Sequence, residues 1–176
     1  MAYAEAGWPD VSLGFQHGMS DKLDIGAKLS LTYGVAGTTF TGVGMGVSAP
    51  IRIGFLKSDK LSALIHVDPG VRFMTFSGPL FGLQVPVGVE FGIHLTPEAT
   101  VGLGFDLPFY LNFTNGVFAV IPPLAGAGFE YHVSDQISVG LNTRFGVAIF
   151  AGGLGGFGFA GTGFSFLTQG FFAYRL

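Results

Sequence analysis

Apolar residues alternate with glycine and polar residues along much of the chain. Between residues 43 and 55 every odd-numbered residue is apolar, whereas the even-numbered ones are Gly, Ser, Pro or Arg. The same odd phase continues through 83–93 and 101–113, where the even positions include Glu90 and Asp106. Successive side chains of a β-strand point to opposite faces. The pattern therefore predicts strands with one apolar face and one face of glycine, polar and ionisable residues.

Four polar turns recur at intervals of 38 residues, at 20–22, 58–60, 96–98 and 134–136. A second set of turn-forming segments lies between them, at 37–39, 77–79, 114–116 and 152–153. Asn-Gly in the third of these is a strong hairpin signal. The repeating unit is thus predicted to be a β-hairpin with strands of about 15 residues. Because 38 is even, successive hairpins keep the same face phase.

The fold predicted for residues 1–176 is a single all-β domain, an antiparallel transmembrane β-barrel of 8 to 10 strands with short turns at both ends. A strand of about 15 residues tilted by about 45° rises about 35 Å, which covers a hydrocarbon core. Nine segments are predicted: 3–17, 23–36, 42–57, 61–76, 81–94, 100–113, 117–133, 137–150 and 157–176. Since single-chain bacterial barrels usually have an even strand number, an odd count points to a missing strand or to an oligomer.

Composition narrows the class of protein. Hydrophobic residues make up 49% of the chain and charged residues 11%, whereas soluble domains carry about 25% charged residues. The 30 glycines and 9 prolines break up the long apolar runs that transmembrane helices need. The chain has no cysteine, a net charge of -3 and no basic run. Disulfides and nucleic-acid binding are therefore not expected.

Two burial modes fit a strand with one apolar face. The apolar face points either outward into lipid or inward, as in a soluble lipocalin-like barrel that binds a small apolar ligand. The other face is too rich in glycine and too poor in charge for a water-facing exterior, which favours the first mode. The predicted lipid-facing residues are Val47, Ile51, Val67, Val87, Leu103, Phe105, Leu141 and Phe166.

The opposite face carries the ionisable residues predicted to line the lumen. They are Asp24, Lys28, Arg52, His66, Asp68, Arg72, Glu90, Asp106, Glu130 and Arg144. One interpretation is a network of ion pairs that avoids isolated charges in a narrow space. The other is a charged constriction that selects ions or admits a small solute. The balance of signs favours the network.

The positions of glycine and proline leave two further questions open, whether the lumen holds water and whether the wall of the barrel opens toward lipid. Small residues on the inward face either leave a water-filled passage or permit the curvature that closes the sheet. Prolines recur near mid-strand at Pro50, Pro69, Pro86, Pro108 and Pro122-Pro123. Each removes a ladder hydrogen bond, so we expect a bulge or kink there. A lateral opening toward lipid is the functional counterpart of such a break.

The last strand resembles the carboxy-terminal assembly signal of bacterial outer-membrane β-barrels. Its alternating residues are Phe164, Phe166, Thr168, Gly170, Phe172, Tyr174 and Leu176. The family pattern has a glycine where this chain has Phe171. The resemblance implies a bacterial outer-membrane location, a lipid bilayer or detergent as partner, and periplasmic short turns. No export signal precedes the first segment, so Met1 is read as a start that follows a removed signal.

Catalysis is not expected from the sequence. His66 with Asp68 and Ser48 or Ser62 is the one conceivable catalytic group, and His66 and Asp68 are only two residues apart on one strand face. Motifs for metal or cofactor binding are lacking. The sequence therefore predicts no catalytic residues, no metal and no cofactor, and a narrow passive pore or a structural scaffold in the membrane.

Overall fold

The computed structural model describes residues 1–34, 41–75, 79–113, 116–154 and 157–176, and these form fifteen strands. The strands are β1 (Ala2–Trp8), β2 (Asp10–Gly18), β3 (Leu23–Gly34), β4 (Thr41–Ser48), β5 (Ile51–Lys57), β6 (Leu61–Val67), β7 (Gly70–Thr75), β8 (Pro79–Gln84), β9 (Val87–His94), β10 (Ala99–Leu107), β11 (Tyr110–Phe113), β12 (Gly116–Ile121), β13 (Leu124–His132), β14 (Ile137–Leu154) and β15 (Phe157–Tyr174).

The strands form one antiparallel sheet that closes on itself. The hydrogen-bonded order is β12-β11-β8-β7-β4-β3-β2-β1-β15-β14-β13-β10-β9-β6-β5. Two additional pairings, β3 with β5 and β12 with β14, join distant parts of this order. The first of them closes a circuit of ten strands, from β3 through β1, β15 and β10 to β5. The prediction of an all-β antiparallel fold is confirmed.

The predicted count of nine strands was wrong, partly because prolines divide five of the segments. Breaks separate β4 from β5, β6 from β7, β8 from β9, β10 from β11 and β12 from β13. Proline has no N–H to donate to the ladder. Backbone hydrogen bonds still cross the breaks: Ala49 N donates to Pro69 O at 2.9 Å and Asp68 N to Pro86 O at 2.8 Å. The breaks therefore interrupt the strands without opening the wall at these two bonds.

The first predicted segment accounts for the rest of the difference. Residues 3–17 form two strands, β1 and β2, which pair with Ala6 opposite Val11. The chain reverses at Trp8 and Pro9, because Pro-Asp favours a turn and Pro9 cannot continue the ladder. These strands have 7 and 9 residues, whereas β14 and β15 have 18 each.

The four short turns repeat one backbone hydrogen bond. Ser58 N donates to Leu61 O at 2.8 Å, and Ser134 N donates to Ile137 O at 3.3 Å. Ser20 and Thr96 make the corresponding bonds to Leu23 and Ala99. Of the second turn set, 37–39 lies outside the described residues, and so do 77–78 and 114–115. The turn predicted at 152–153 was wrong, since β14 continues to Leu154.

Side chains are distributed inside out compared with a soluble domain. The described residues include nine buried polar or charged residues but seven buried hydrophobic ones. Large hydrophobic residues stand exposed on almost every strand, for example Leu13, Val43 and Leu141 at 63%, 63% and 51%. On β15 the phase differs: even-numbered Phe164 and Phe172 are exposed, and odd-numbered Ser165 is buried. Polar groups thus concentrate within the closed sheet.

Candidate functional site

A cavity of about 380 Å³ lies inside the sheet, in the half next to the four short turns. It reaches from residues beside those turns, such as Ser62 and Thr100, to the proline breaks at Pro50, Pro86 and Pro108. Eight of the ten predicted lumen residues line it: Lys28, Arg52, His66, Asp68, Glu90, Asp106, Glu130 and Arg144. Asp24 and Arg72 do not.

Four of these residues form a connected group, the central ion cluster. Asp106 accepts from Arg144 Nε at 3.0 Å through Oδ2, and its Oδ1 lies 2.8 Å from His66 Nε2. Arg144 Nη2 lies 3.3 Å from Glu90 Oε1. The Arg144 side chain is 4% exposed. The cluster links β6, β9, β10 and β14 across the interior, so each buried charge has an opposite neighbour.

Glycines on the inward face provide the space for this cluster. A Cβ at Gly88 would contact Asp106 Oδ1 and His66 Nε2, and a Cβ at Gly104 would contact the Arg144 guanidinium. Register explains the fit, since Gly88 lies opposite both His66 and Asp106. Side chains of neighbouring strands fill the space beside Gly88 and Gly104. These two glycines therefore make room for the cluster and do not leave a water-filled passage.

A second group of charges includes residues that the sequence interpretation missed. Lys28 Nζ lies 2.6 Å from Glu5 Oε2, which also accepts from Ser12 Oγ at 2.8 Å. Asp10 Oδ1 accepts from Gln169 Nε2 at 2.7 Å. Glu5 has an odd number, the phase taken as lipid-facing in the other strands, and was therefore not among the predicted lumen residues. The turn at Pro9 gives β1 the opposite phase, and the Pro-Asp turn signal was the clue in the sequence.

Arg72 lies away from the cavity, in the half beyond the prolines. Its Nη2 donates to Asn112 Oδ1 at 2.9 Å, and its guanidinium lies 4.1 Å from the centre of the Tyr110 ring. Beside it, buried Met74, Val120 and Ala148 form an apolar cluster with Leu80, Tyr110, Phe118 and Phe150. We call this set the apolar plug. Tyr110 also lines the cavity, so the plug borders the end of the cavity that lies farther from the short turns.

The remaining predicted lumen residues are less tightly held. Asp24 lies opposite Arg52 in the ladder between β3 and β5. Asp68 Oδ1 is buried and has no hydrogen-bond partner among the described residues. Glu130 lies at the short-turn end, where its carboxylate is 3.8 Å from His132 Nδ1.

The residues predicted to face lipid lie on the outer surface to different degrees. Val47, Val87, Leu103, Phe105 and Leu141 are 38 to 55% exposed. Ile51, Val67 and Phe166 are partly exposed. Val67 and Leu103 also border the cavity, so part of each residue belongs to the wall itself.

The conceivable catalytic group is not assembled in the described structure. His66 contacts Asp106 and not Asp68. His132 meets both Ser138 and Glu130 through the same nitrogen, Nδ1, whereas a relay needs a separate partner on each nitrogen. That the chain is not an enzyme stays a prediction. Within the described ranges, no group of three or more His, Asp or Glu side chains is arranged to hold a metal ion.

Comparisons with known proteins give a remote likeness. No helix in the described residues has the length and apolar character to cross a membrane. No family model and no curated protein matches the chain. Among solved structures the chain is similar to OmpT (in-vitro folded), an outer membrane protein of Vibrio cholerae, with a TM-score of 0.38 and 12% identity. The match covers 99% of this chain and 61% of that one.

Proposed function

We propose that the chain is a non-catalytic integral membrane β-barrel of the bacterial outer-membrane type, and that it is a closed scaffold and not an axial pore. The observation that carries this proposal is the inside-out distribution of side chains. Among the described residues nine polar or charged ones and seven hydrophobic ones are buried, and the outer surface is rich in exposed large hydrophobics. In water each exposed Leu or Phe side chain forgoes about 1.5 to 3 kcal/mol of burial free energy. In hydrocarbon that penalty disappears.

Strand length fits the same environment. An 18-residue strand such as β14 rises about 40 Å at a tilt of about 45°, against a hydrocarbon core of about 30 Å. The closed circuit of strands also supplies what a bilayer demands where its strands are paired on both sides, because the backbone N–H and C=O groups there bond to one another and not to lipid.

The contents of the interior favour a scaffold over a pore. The apolar plug joins β7 to β12 and β14, which pair with each other but not with β7. Its buried core residues are 0 to 2% exposed. The central ion cluster pairs the charges that an ion-selective constriction would leave facing the passage.

The alternative is a soluble lipocalin-like barrel that binds a small apolar ligand. It requires an apolar interior and a polar exterior. The cavity is instead lined by charged residues such as Glu5, Lys28 and Arg144, which supports the membrane proposal.

Two arginine substitutions, one at mid-strand and one in a short turn, distinguish the membrane barrel from the soluble lipocalin-like barrel. Phe105 lies near the middle of the strand run 99–113, and Val133 lies in a short turn. In a membrane barrel, Phe105→Arg lowers the free energy of unfolding by about 2 to 4 kcal/mol, and Val133→Arg lowers it by at most about 1 kcal/mol. Urea unfolding in phosphatidylcholine vesicles, followed by heat-modified gel mobility, measures both. Full solubility of the wild type without detergent would instead establish the soluble barrel.

A further inference from the structure

The N-terminal part of β15, residues 157–167, has one neighbouring strand in the described structure. β1 pairs with β15 from Ala2 opposite Tyr174 up to Trp8 opposite Thr168. Residues 157–167, which precede Thr168, pair with β14 and with no other described strand. The cause is the length mismatch: the chain turns back at Pro9, whereas β15 continues for eleven residues beyond Thr168.

Exposure of β15 agrees with an open edge. In a closed wall, alternate residues point into the interior and lose contact with solvent. Ala160, Gly161 and Thr162 are nevertheless all exposed. Gly161 has the inward phase, and a Cβ there would have no atom of the described residues within 4 Å. Both faces of the strand are therefore accessible at this level.

The cavity extends to the lower end of this edge. Pro9, Asp10, Leu167 and Gln169 all line it. The apolar plug lies at the far axial end of the cavity, and the part of β15 that lacks a second neighbouring strand borders the cavity at Leu167. We call this space, between residues 157–167 and the tip of the β1–β2 hairpin, the side port.

Polar groups at the side port lack partners. The Trp8 indole N–H is buried without a hydrogen-bond acceptor, and Ser165 Oγ is unpartnered in a residue that is 0% exposed. Apolar rings stand beside them: Phe166 stacks on Trp8 at 5.7 Å, and Phe164, 67% exposed, stacks on Phe145 at 6.3 Å. An exposed sheet edge within hydrocarbon is unfavourable unless its N–H and C=O groups find partners.

We propose that the side port binds a single-chain amphiphile with an uncharged, oxygen-rich head group, an inference that rests on the membrane barrel proposed above. The head group lies where the cavity meets the free β15 edge, beside Leu167 and Gln169, and bonds to the unpaired backbone groups of that edge. The hydrocarbon chain lies along Phe164 and Phe166. A cavity of about 380 Å³ falls in the range of small-molecule sites, about 300 to 1,000 Å³.

Charge selects the head group. The described cavity lining carries six carboxylates, on Glu5, Asp10, Asp68, Glu90, Asp106 and Glu130. Four cations oppose them, the Met1 ammonium and the side chains of Lys28, Arg52 and Arg144, with His66 as a further titratable group. This excess of negative charge repels an anionic head group and favours a neutral one such as glycerol.

Trp8 is the single tryptophan of the chain, so its fluorescence reports on the side port. The probe is a monoacylglycerol with a dibrominated acyl chain, added to the protein in phosphatidylcholine vesicles. We expect saturable quenching that unbrominated monoacylglycerol reverses. Gly161→Leu fills the open space and raises the half-saturating concentration about tenfold. Ala127→Leu, at an exposed outward-facing residue of β13 away from the side port, leaves it unchanged.

Three outcomes overturn the proposal. One is quenching that rises linearly with mole fraction and is equal in both variants, which is bulk lipid contact. Another is equal or tighter binding of the dibrominated fatty acid anion. The third is a disulfide-linked dimer of Thr162→Cys together with no saturable quenching, which identifies a second copy as the occupant. Heat-modified mobility is measured on each sample, so failure to insert counts against the membrane barrel, and insertion without saturable quenching counts against the side port alone.

Discussion

At the scale of single residues, the interior depends on a few charges whose partners come from distant parts of the sequence. Arg144 contacts two carboxylates, Glu90 and Asp106, from other strands. The sequence placed all three on the inward face, because residue parity decides that. It could not show which of them meet, since contact depends on the register between strands and on the glycines beside them.

Replacing Arg144 by Met should unfold the protein more easily. The Glu90 and Asp106 carboxylates would lose their buried cation, and because both are partly exposed we expect a loss of about 1 to 3 kcal/mol. Urea titration in vesicles, followed by Trp8 fluorescence, measures the free energy of unfolding. The control is Arg175→Met, because Arg175 is exposed at the chain end. Equal stability of the two variants would contradict a structural role for the central ion cluster.

Gly88 and Gly161 should respond differently to the same added methyl group. Gly88→Ala places a Cβ against His66 and Asp106, and overpacking of this kind costs about 1 to 3 kcal/mol. A Cβ at Gly161 meets no described atom within 4 Å, so Gly161→Ala should be neutral. Unfolding midpoints of the two variants in urea check this. A neutral Gly88→Ala would show that the space beside Gly88 is not filled.

At the scale of elements, the β1–β2 hairpin shows what the alternation of odd and even residues can predict and what it cannot. Alternation identified residues 3–17 as extended structure, which β1 and β2 are. It did not reveal the reversal, because the residues on either side of Pro9 alternate in a similar way. Parity counting then reversed the faces of β1, and Glu5 was missed as the partner of Lys28. Proline positions were more informative, since a strand break follows from the missing N–H.

The tip of this hairpin should depend on Trp8. The indole stacks on Phe166 at 5.7 Å and meets Tyr33 edge-on at 5.9 Å. Each aromatic pair contributes about 0.5 to 1.5 kcal/mol, so Trp8→Ala should lower the free energy of unfolding by about 1 to 3 kcal/mol. Phe55→Ala, which removes an edge-on contact with Phe91, is the control with a smaller expected loss. Gel mobility in a urea series measures both, and a loss no larger than that of the control would argue against this role of Trp8.

At the scale of the whole molecule, the sequence predicted a closed all-β structure but left the state of its interior undecided. A face rich in glycine is compatible with a water-filled lumen and with a filled one. The difference lies in side chains such as Met74 and Val120, which come from non-adjacent strands and meet only after closure. No local pattern contains that information.

Ion conduction tests whether the apolar plug closes the axis. The wild type should give no steady openings in planar bilayers. The double substitution Met74→Ala and Val120→Ala removes two buried side chains from the plug and should produce steady openings. Phe73→Ala with Val117→Ala alters the same two strands on the outer face, where both residues are exposed, and should remain silent. Openings of equal size in the wild type would refute axial closure.

The recurring short turn has a consequence for how such a molecule could be enlarged. Each turn is closed by the same backbone bond, from Ser58 to Leu61 in one copy and from Ser134 to Ile137 in another, and successive copies are 38 residues apart. Inserting one more unit of that length would leave every downstream side chain on its original face. The circumference could therefore grow two strands at a time by gene duplication, and each added pair would widen the interior until the plug no longer spans it.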